Sequence, residues 1–308
     1  MGRTADPLRD NAVRRALTLR PFAKVNLMLR VGARQPDGYH DVRTVLQAVG
    51  IFDSLTFTAR RGPFALQSRV PGLAMDESNL VWRAAAAIWR AAGKPGAPRD
   101  AHVKLDKAIP MAAGLGGGSA DAAAALVGLN QLWDCRCPPQ QIVGIARELG
   151  ADVPFFLQGG TALGAGRGDE IFPVDDITRF GVVLIKPSFG VSTADAYAWL
   201  DADRASAADG PVRQPRSLDV GWAGHPLSIA NDLEGPVARR HPGIQEMIAA
   251  CVREGAVAAA MTGSGSAVFG LFREAVAAKA ARKLQRPDWL VLLTRTLSRR
   301  ESGRRMTL

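Results

Sequence analysis

The chain has 308 residues, 47% hydrophobic and 22% charged, which is enough apolar material for two globular domains with cores of their own. No apolar run approaches the ~18 residues of a membrane-spanning helix. The start of the chain carries Arg3, Asp6, Arg9, Asp10, Arg14 and Arg15 where a secretory signal needs an uncharged apolar stretch, so a cytoplasmic protein without a membrane partner is expected. The formal charge of +10 comes partly from arginines near the two ends, among them Arg20, Arg295, Arg299, Arg300, Arg304 and Arg305. Basic tails fit either solvated termini or a nucleic-acid contact, but interleaved aromatics and a recognised binding motif are missing, so no nucleic-acid partner is expected. Cys135, Cys137 and Cys251 are an odd set that cannot complete a disulfide framework, and a lone Cys135-Arg136-Cys137 without a second Cys or His pair is a poor metal site.

In chain order, apolar clustering and alternation predict strands over 17–31 and 46–60, and helical spacing predicts a helix over 79–92. A short strand at 101–105 precedes helices at 120–133 and 139–149, and strands follow at 161–170 and 181–185. The Ala, Asp, Gly, Pro and Arg stretch over 201–216 reads as a solvent loop or insertion. An amphipathic helix over 242–254, strands at 256–261 and 267–272 around a glycine turn, and a helix over 274–284 complete the chain. The first half is thus mixed α+β, and the helix, strand, strand, helix order of the second suits a split ferredoxin-like half.

Between the third strand and its helix runs Pro110-Met111-Ala112-Ala113-Gly114-Leu115-Gly116-Gly117-Gly118-Ser119-Ala120-Asp121, opening onto Ala122-Ala123-Ala124-Ala125-Leu126. Glycines let backbone N–H groups turn toward an anion, and a helix start adds unpaired donors and a positive dipole end, so phosphate is the expected ligand. The stretch is not a Walker loop, because no lysine separates Gly118 from Ser119, and not a GxGxxG from Gly114, because Ser119 stands at the third glycine. Loop chemistry alone also fits a tight turn before a buried helix, with Ser119 as its N-cap.

Three further features carry chemistry. Lys24 lies in apolar Ala23-Lys24-Val25-Asn26-Leu27, where a buried lysine needs an anion, although alternation alone equally allows it to face solvent at a strand edge. Asp152 follows Gly150-Ala151 and precedes Val153-Pro154, read as an extended step that aims a carboxylate into a cleft; a turn-capping aspartate is the plainer alternative. Pro36-Asp37-Gly38 before Tyr39-His40 is a turn signature.

Four ordered stretches, Pro21 to Leu29, Gly114 to Ser119, Gly150 to Phe156 and Met261 to Ala267, resemble the GHMP kinase superfamily. Lys24-Val25-Asn26, Gly38-Tyr39-His40, the glycine loop and Gly150-Ala151-Asp152-Val153-Pro154 are similar, within it, to the 4-diphosphocytidyl-2-C-methyl-D-erythritol kinase family, over residues 19–272. The resemblance implies an α+β fold of two domains: a ribosomal protein S5 domain 2-like, ATP-binding half over 1–165 and a ferredoxin-like half over 166–308. It implies ATP with Mg²⁺ and in-line transfer of the γ-phosphoryl group to the 2-hydroxyl of 4-diphosphocytidyl-2-C-methyl-D-erythritol, by a monomer or homodimer. Asp152 is then the general base and Lys24 its partner, favouring loss of the hydroxyl proton. Residues Pro110 to Ala120 wrap the nucleotide phosphates, Lys107 and Asn79 assist, and Ser119 is the one protein ligand expected for Mg²⁺. Tyr39 and Tyr197 stack on the pyrimidine, His40 bonds its edge, Asn26 and Thr193 touch the substrate, and Gly263-Ser264-Gly265 closes the cleft. Asn79 as a plain helix N-cap and 263–265 as a plain hairpin turn remain open. So do a kinase of mevalonate, homoserine or a sugar, against which Tyr39, His40 and Tyr197 speak, and a non-catalytic RNA-binding protein, against which Lys24 with Asp152 speaks.

Overall fold

The computed structural model describes residues 16–177, 180–206 and 229–306. Its elements are, in order, β1 (Leu17–Leu19), β2 (Phe22–Arg34), β3 (His40–Phe52), β4 (Ser54–Pro63), β5 (Ala65–Ser68), α1 (Leu80–Ala91) and β6 (Arg99–Asp106). Then come α2 (Gly117–Leu132), α3 (Pro139–Leu149), α4 (Val153–Gln158), β7 (Thr161–Ala165), β8 (Glu170–Pro173), β9 (Phe180–Pro187) and α5 (Thr193–Ser206). The remainder is β10 (Ala230–Asn231), α6 (Glu234–Arg240), α7 (Gly243–Arg253), β11 (Ala258–Met261), β12 (Val268–Arg273), α8 (Glu274–Lys283), β13 (Trp289–Arg295) and α9 (Arg299–Met306). Three sheets result, ordered β1-β4-β6-β5, β10-β2-β3-β7-β8 and β11-β12-β9-β13. The first two are built from the N-terminal half, whose core holds α2, with β10 alone added to the second sheet from the C-terminal half; the third, backed by α7 and α8, is the ferredoxin-like layer of the second half.

Each long predicted strand is split for a local reason. Pro21, which has no N–H to give a ladder, separates β1 from β2, and the fully buried Asp53 separates β3 from β4. The stretch 161–170 is a hairpin instead of one strand, because Gly166 and Gly168 take left-handed φ angles of +65° and +93° and turn β7 back on β8. A boundary at 165/166 falls inside that turn, and the N-terminal half's sheet continues to Pro173. Asp201 to Ser206, expected in a loop, form the end of α5; 207–216 lie outside the described residues.

The C-terminal arginines are not a loose tail. Arg305 and Arg20 lie over the ring of Phe52, at 5.2 and 5.4 Å, Arg299 donates to the Val174 carbonyl at 2.7 Å, and Arg295 pairs with Glu301. Arg3, Arg9, Arg14 and Arg15 lie outside the described residues. No helix among the described residues is long and apolar enough to cross a membrane. Cys135, Cys137 and Cys251 are free thiols, and no cluster of three metal-ligating side chains exists among the described residues.

Helix α2 sets the position of the glycine loop, and it is buried nearly all round: Ala120, Ala122 to Ala125, Leu126 and Leu129 are inaccessible to solvent. Small side chains allow that close approach. Gly128 marks its limit, since a Cβ there would stand 2.5 Å from the ring of the buried Phe57 on β4. Gly128→Ala is therefore expected to lower stability by about 1–3 kcal/mol through overpacking, despite alanine's higher helix propensity, as chemical denaturation will read.

Candidate active site

A cleft of about 660 Å³ opens where β2, β3, the glycine loop, the residues before α4, the start of α5 and the 263–265 turn meet. That volume suits small-molecule ligands. At its floor is Lys24, 3% exposed, near the start of β2, with β3 on one side and the glycine loop on the other. The strand-edge alternative for this lysine is thereby excluded. Its Nζ donates to Asn26 Oδ1 at 2.6 Å and stands 3.6 Å from Asp152 Oδ2. Asn26 shares the face of Lys24 by the two-residue period of the strand. Asn26 Nδ2 donates to Thr44 Oγ1 at 2.8 Å, and that hydroxyl donates to the Met28 carbonyl at 2.7 Å. The Asn26 backbone N–H donates to Thr262 Oγ1 at 3.0 Å, so a chain of hydrogen bonds fixes Lys24 from both halves of the molecule.

Asp152 is more open, its side chain 39% exposed. The expected extended step at Val153-Pro154 does not occur: Asp152 is helical (φ −78°, ψ −18°) and is the N-cap of α4, with proline in the first turn, where its missing N–H is no loss. Its carboxylate caps no backbone group of the helix and instead faces Lys24. Nearby, burial pushes the Tyr197 hydroxyl up to about 12, the Asp152 charge adding to the effect, so Tyr197 presents a neutral ring and O–H to the cleft.

The glycine loop is bonded to the same strand, the Lys24 N–H donating to the Leu115 carbonyl at 3.0 Å. Gly114 and Gly116 both have φ of +73°. A Cβ on Gly114 would stand 2.2 Å from the Thr262 carbonyl oxygen, and one on Gly116 would stand 2.7 Å from the Phe156 ring, so both positions need glycine for conformation and for space. Gly116 is the N-cap of α2, which puts Gly117, Gly118 and Ser119 in its first turn with amides that have no intrahelical acceptor. Ser119 is therefore the third helical residue and not the cap. Its position still lines the cleft, together with Pro110, Met111, Ala112, Ala113 and Leu115. Ala120 does not: it is fully buried and its N–H donates to the Gly116 carbonyl at 2.9 Å, so it has nothing left for a ligand.

Lys107 and Asn79 both line the cleft and both also bond protein groups. Asn79 caps α1, accepting the Val81 N–H at 2.9 Å and donating to the Ala74 carbonyl at 2.7 Å. Lys107 Nζ pairs with Asp53 Oδ2 and, at 2.7 Å, with Asp121 Oδ2. Burial alone would lower the Lys107 ammonium, but the two carboxylates outweigh it and hold it above its ordinary range. Asp121 is pushed well above the usual carboxylate range by burial, with Asp53 adding to the rise and Lys107 opposing it.

Of the residues expected at the pyrimidine, Tyr197 and Thr193 line the cleft, and the Thr193 and Ser264 hydroxyls are 3.0 Å apart, joining α5 to the 263–265 turn. Gly263 sits against Lys24 and Asn26: a Cβ there would be 3.3 Å from Lys24 Nζ. Tyr39 and His40 stand beside the cleft and not in its lining. Tyr39 is 57% exposed with the Arg167 guanidinium over its ring at 4.1 Å, and His40 is buried, its Nε2 2.8 Å from Asp201 Oδ1 and its ring 5.2 Å from that of Tyr197. Sequence reasoning missed Thr44, Thr262, Arg167 and Asp53. Only Asp53 left a signal, a carboxylate inside the apolar run Ile51-Phe52-Asp53-Ser54-Leu55.

Comparison with known proteins agrees with this geometry. Residues 79–160 match the family model "GHMP kinases N terminal domain" and residues 216–287 the model "GHMP kinases C terminal". The 4-diphosphocytidyl-2-C-methyl-D-erythritol kinase of Moorella thermoacetica is 40% identical over 286 residues, 91% of this chain and 99% of that protein. Its counterpart from Pelotomaculum thermopropionicum is 41% identical, covering 90% of this chain and 97% of that protein. A crystal structure of 4-(cytidine 5'-diphospho)-2C-methyl-D-erythritol kinase aligns with a TM-score of 0.74 at 33% identity, over 91% of this chain and 99% of that one. The chain belongs to the 4-diphosphocytidyl-2-C-methyl-D-erythritol kinase family of GHMP kinases.

Proposed function

We propose that the protein transfers the γ-phosphoryl group of ATP to the 2-hydroxyl of 4-diphosphocytidyl-2-C-methyl-D-erythritol, a step of the non-mevalonate route to isoprenoid precursors. The observation that carries the reading is the Lys24–Asp152 pair, 3.6 Å apart in a cleft whose rim is a glycine loop at a helix start, in a chain about 40% identical to relatives named for that kinase. Phosphoryl transfer asks a protein for positioning and charge more than for covalent chemistry. The unpaired amides of Gly117, Gly118 and Ser119 hold phosphate oxygens at the positive end of α2. Asp152 Oδ2, open to the cleft, accepts the hydroxyl proton as the new P–O bond forms and the bond to the departing ADP breaks. Lys24, held by Asn26, stabilises negative charge at the attacking oxygen. Thr193, Tyr197 and the 263–265 turn bound the acceptor's side, with Tyr39 and His40 at its flank.

The residues fit Mg²⁺ arriving with ATP: few carboxylates line the cleft, and Mg²⁺ is commonly held by phosphates, waters and one or two side chains, here the Ser119 hydroxyl. Held there, Mg²⁺ would supply neutralisation of phosphate charge. The test is ADP release with ATP, Mg²⁺ and each of 4-diphosphocytidyl-2-C-methyl-D-erythritol, mevalonate, homoserine and galactose. Turnover on the cytidyl alcohol alone is expected; turnover on another alcohol would replace the substrate, and none on any would leave the chain without the activity.

A further inference from the structure

Beneath the glycine loop lies a buried group of three titratable side chains, Asp53, Lys107 and Asp121, drawn from three separate stretches of the chain. Asp53, at the break between β3 and β4, is fully buried, and its Oδ1 accepts the N–H groups of Ala108 and Ile109 at 2.6 and 2.8 Å, the residues that lead into the loop. Its Oδ2 accepts from Lys107 Nζ, which also donates to Asp121 Oδ2 in α2 at 2.7 Å. Both ends of the loop are thus tied to one ammonium. A Cβ on Gly117 would stand 3.1 Å from that Nζ, so the ammonium sits directly under the helix start, and Lys107 lines the cleft. Lysine has three N–H donors and two are engaged here. Asp121 Oδ1 is buried without a hydrogen-bond partner among the described residues.

From this arrangement, which rests on the nucleotide reading above, we infer that Asp121 is a positioning residue for the nucleotide, acting through Lys107. With Asp53 it fixes Nζ so that the third N–H points to a phosphate oxygen at Gly117. The sign of the effect separates this from simple charge repulsion. A carboxylate that merely lay near phosphates would weaken nucleotide binding, and its removal would tighten it. A carboxylate that holds a phosphate-binding ammonium does the reverse.

The test is calorimetric binding of ATP with Mg²⁺, in the absence of acceptor, to wild type, Asp121→Ala, Asp121→Asn, Lys107→Met and the double variant. Asp121→Ala is expected to raise the Kd for ATP about tenfold, the scale of one charge-assisted hydrogen bond. Asp121→Asn keeps an acceptor for Nζ and is expected to stay within about threefold of wild type. If Asp121 acts through Lys107, adding Asp121→Ala to Lys107→Met costs nothing further. Because Lys107→Met leaves two buried carboxylates and can unfold the protein, the wild type supplies a second readout: one protected lysine ammonium resonance, altered in Asp121→Asn, is expected to shift when ATP binds. Unchanged or tighter binding in Asp121→Ala, additive losses in the double variant, or no shifted ammonium signal would each overturn the inference. So would an Asp121→Asn protein whose only defect is a raised Mg²⁺ requirement, which would make Asp121 a cation ligand. A wild type that binds no ATP removes the nucleotide reading itself, whereas a binding wild type with unaffected variants removes this inference alone.

Discussion

Asp152→Asn is expected to lower kcat by a factor of about 10²–10⁴, with the Kd for ATP and the KM for the alcohol changed little. The substitution keeps the shape of the side chain and its place before α4, and it removes the acceptor for the hydroxyl proton. It also removes the charge opposite Lys24 Nζ, at 3.6 Å. Folding is not at stake, because Asp152 makes no capping bond to α4 and its side chain is 39% exposed. The loss therefore belongs in kcat. Melting temperature and nucleotide binding are the controls, and an Asp152→Asn protein that turns over at near the wild-type rate would remove Asp152 from the chemistry.

The second large effect is expected at Gly114. Its Cα lies so close to the 262–265 turn that a methyl group would stand 2.2 Å from the Thr262 carbonyl oxygen and 3.2 Å from that of Gly265. Both neighbours are backbone and cannot rotate away, and φ of +73° is itself unfavourable for alanine, by ~1 kcal/mol. Gly114→Ala must therefore push the loop off the turn by more than half an ångström, and a displacement near 1 Å at a phosphate cradle costs on the order of 10²-fold in rate. The expected result is a fall in kcat/KM for ATP of that order together with a lowered melting temperature. Gly144→Ala on α3, where a Cβ meets nothing within 4 Å, is the control and is expected to leave both unchanged or to stabilise slightly. Wild-type kinetics in Gly114→Ala would mean that the loop and the turn are not in register as described.

Much of this site was legible because it is local. A glycine run opening onto four alanines and a leucine announces the helix and suggests an anion cradle at its start, and resemblance assigned Lys24 and Asp152 to one site before any geometry did. What stayed illegible depends on contacts between distant segments. Alternation could not decide whether Lys24 was buried, since that follows from the glycine loop, some ninety positions away, whose Leu115 carbonyl takes the Lys24 N–H on the side of β2 away from β3. The same holds for the two carboxylates that flank Lys107, Asp53 and Asp121, which are 54 and 14 positions from it. At Val153-Pro154 a local rule misled: proline disfavours a helical predecessor within a helix, yet in the first turn it serves as well as any residue. The hairpin after Thr161 was misread as one strand because the turn that divides it depends on the left-handed conformation of glycines 166 and 168.

Direct transfer from ATP to the cytidyl alcohol in a single site is open to a single-turnover reaction. Excess protein is mixed with γ-³²P-labelled ATP, Mg²⁺ and 4-diphosphocytidyl-2-C-methyl-D-erythritol, quenched at successive times, and separated into protein, nucleotide and product. Label is expected to pass from ATP to a phosphomonoester on the tertiary 2-hydroxyl with none on the protein at any time. Label accumulating on the protein before product, or ATP left intact in the presence of that alcohol, would contradict it.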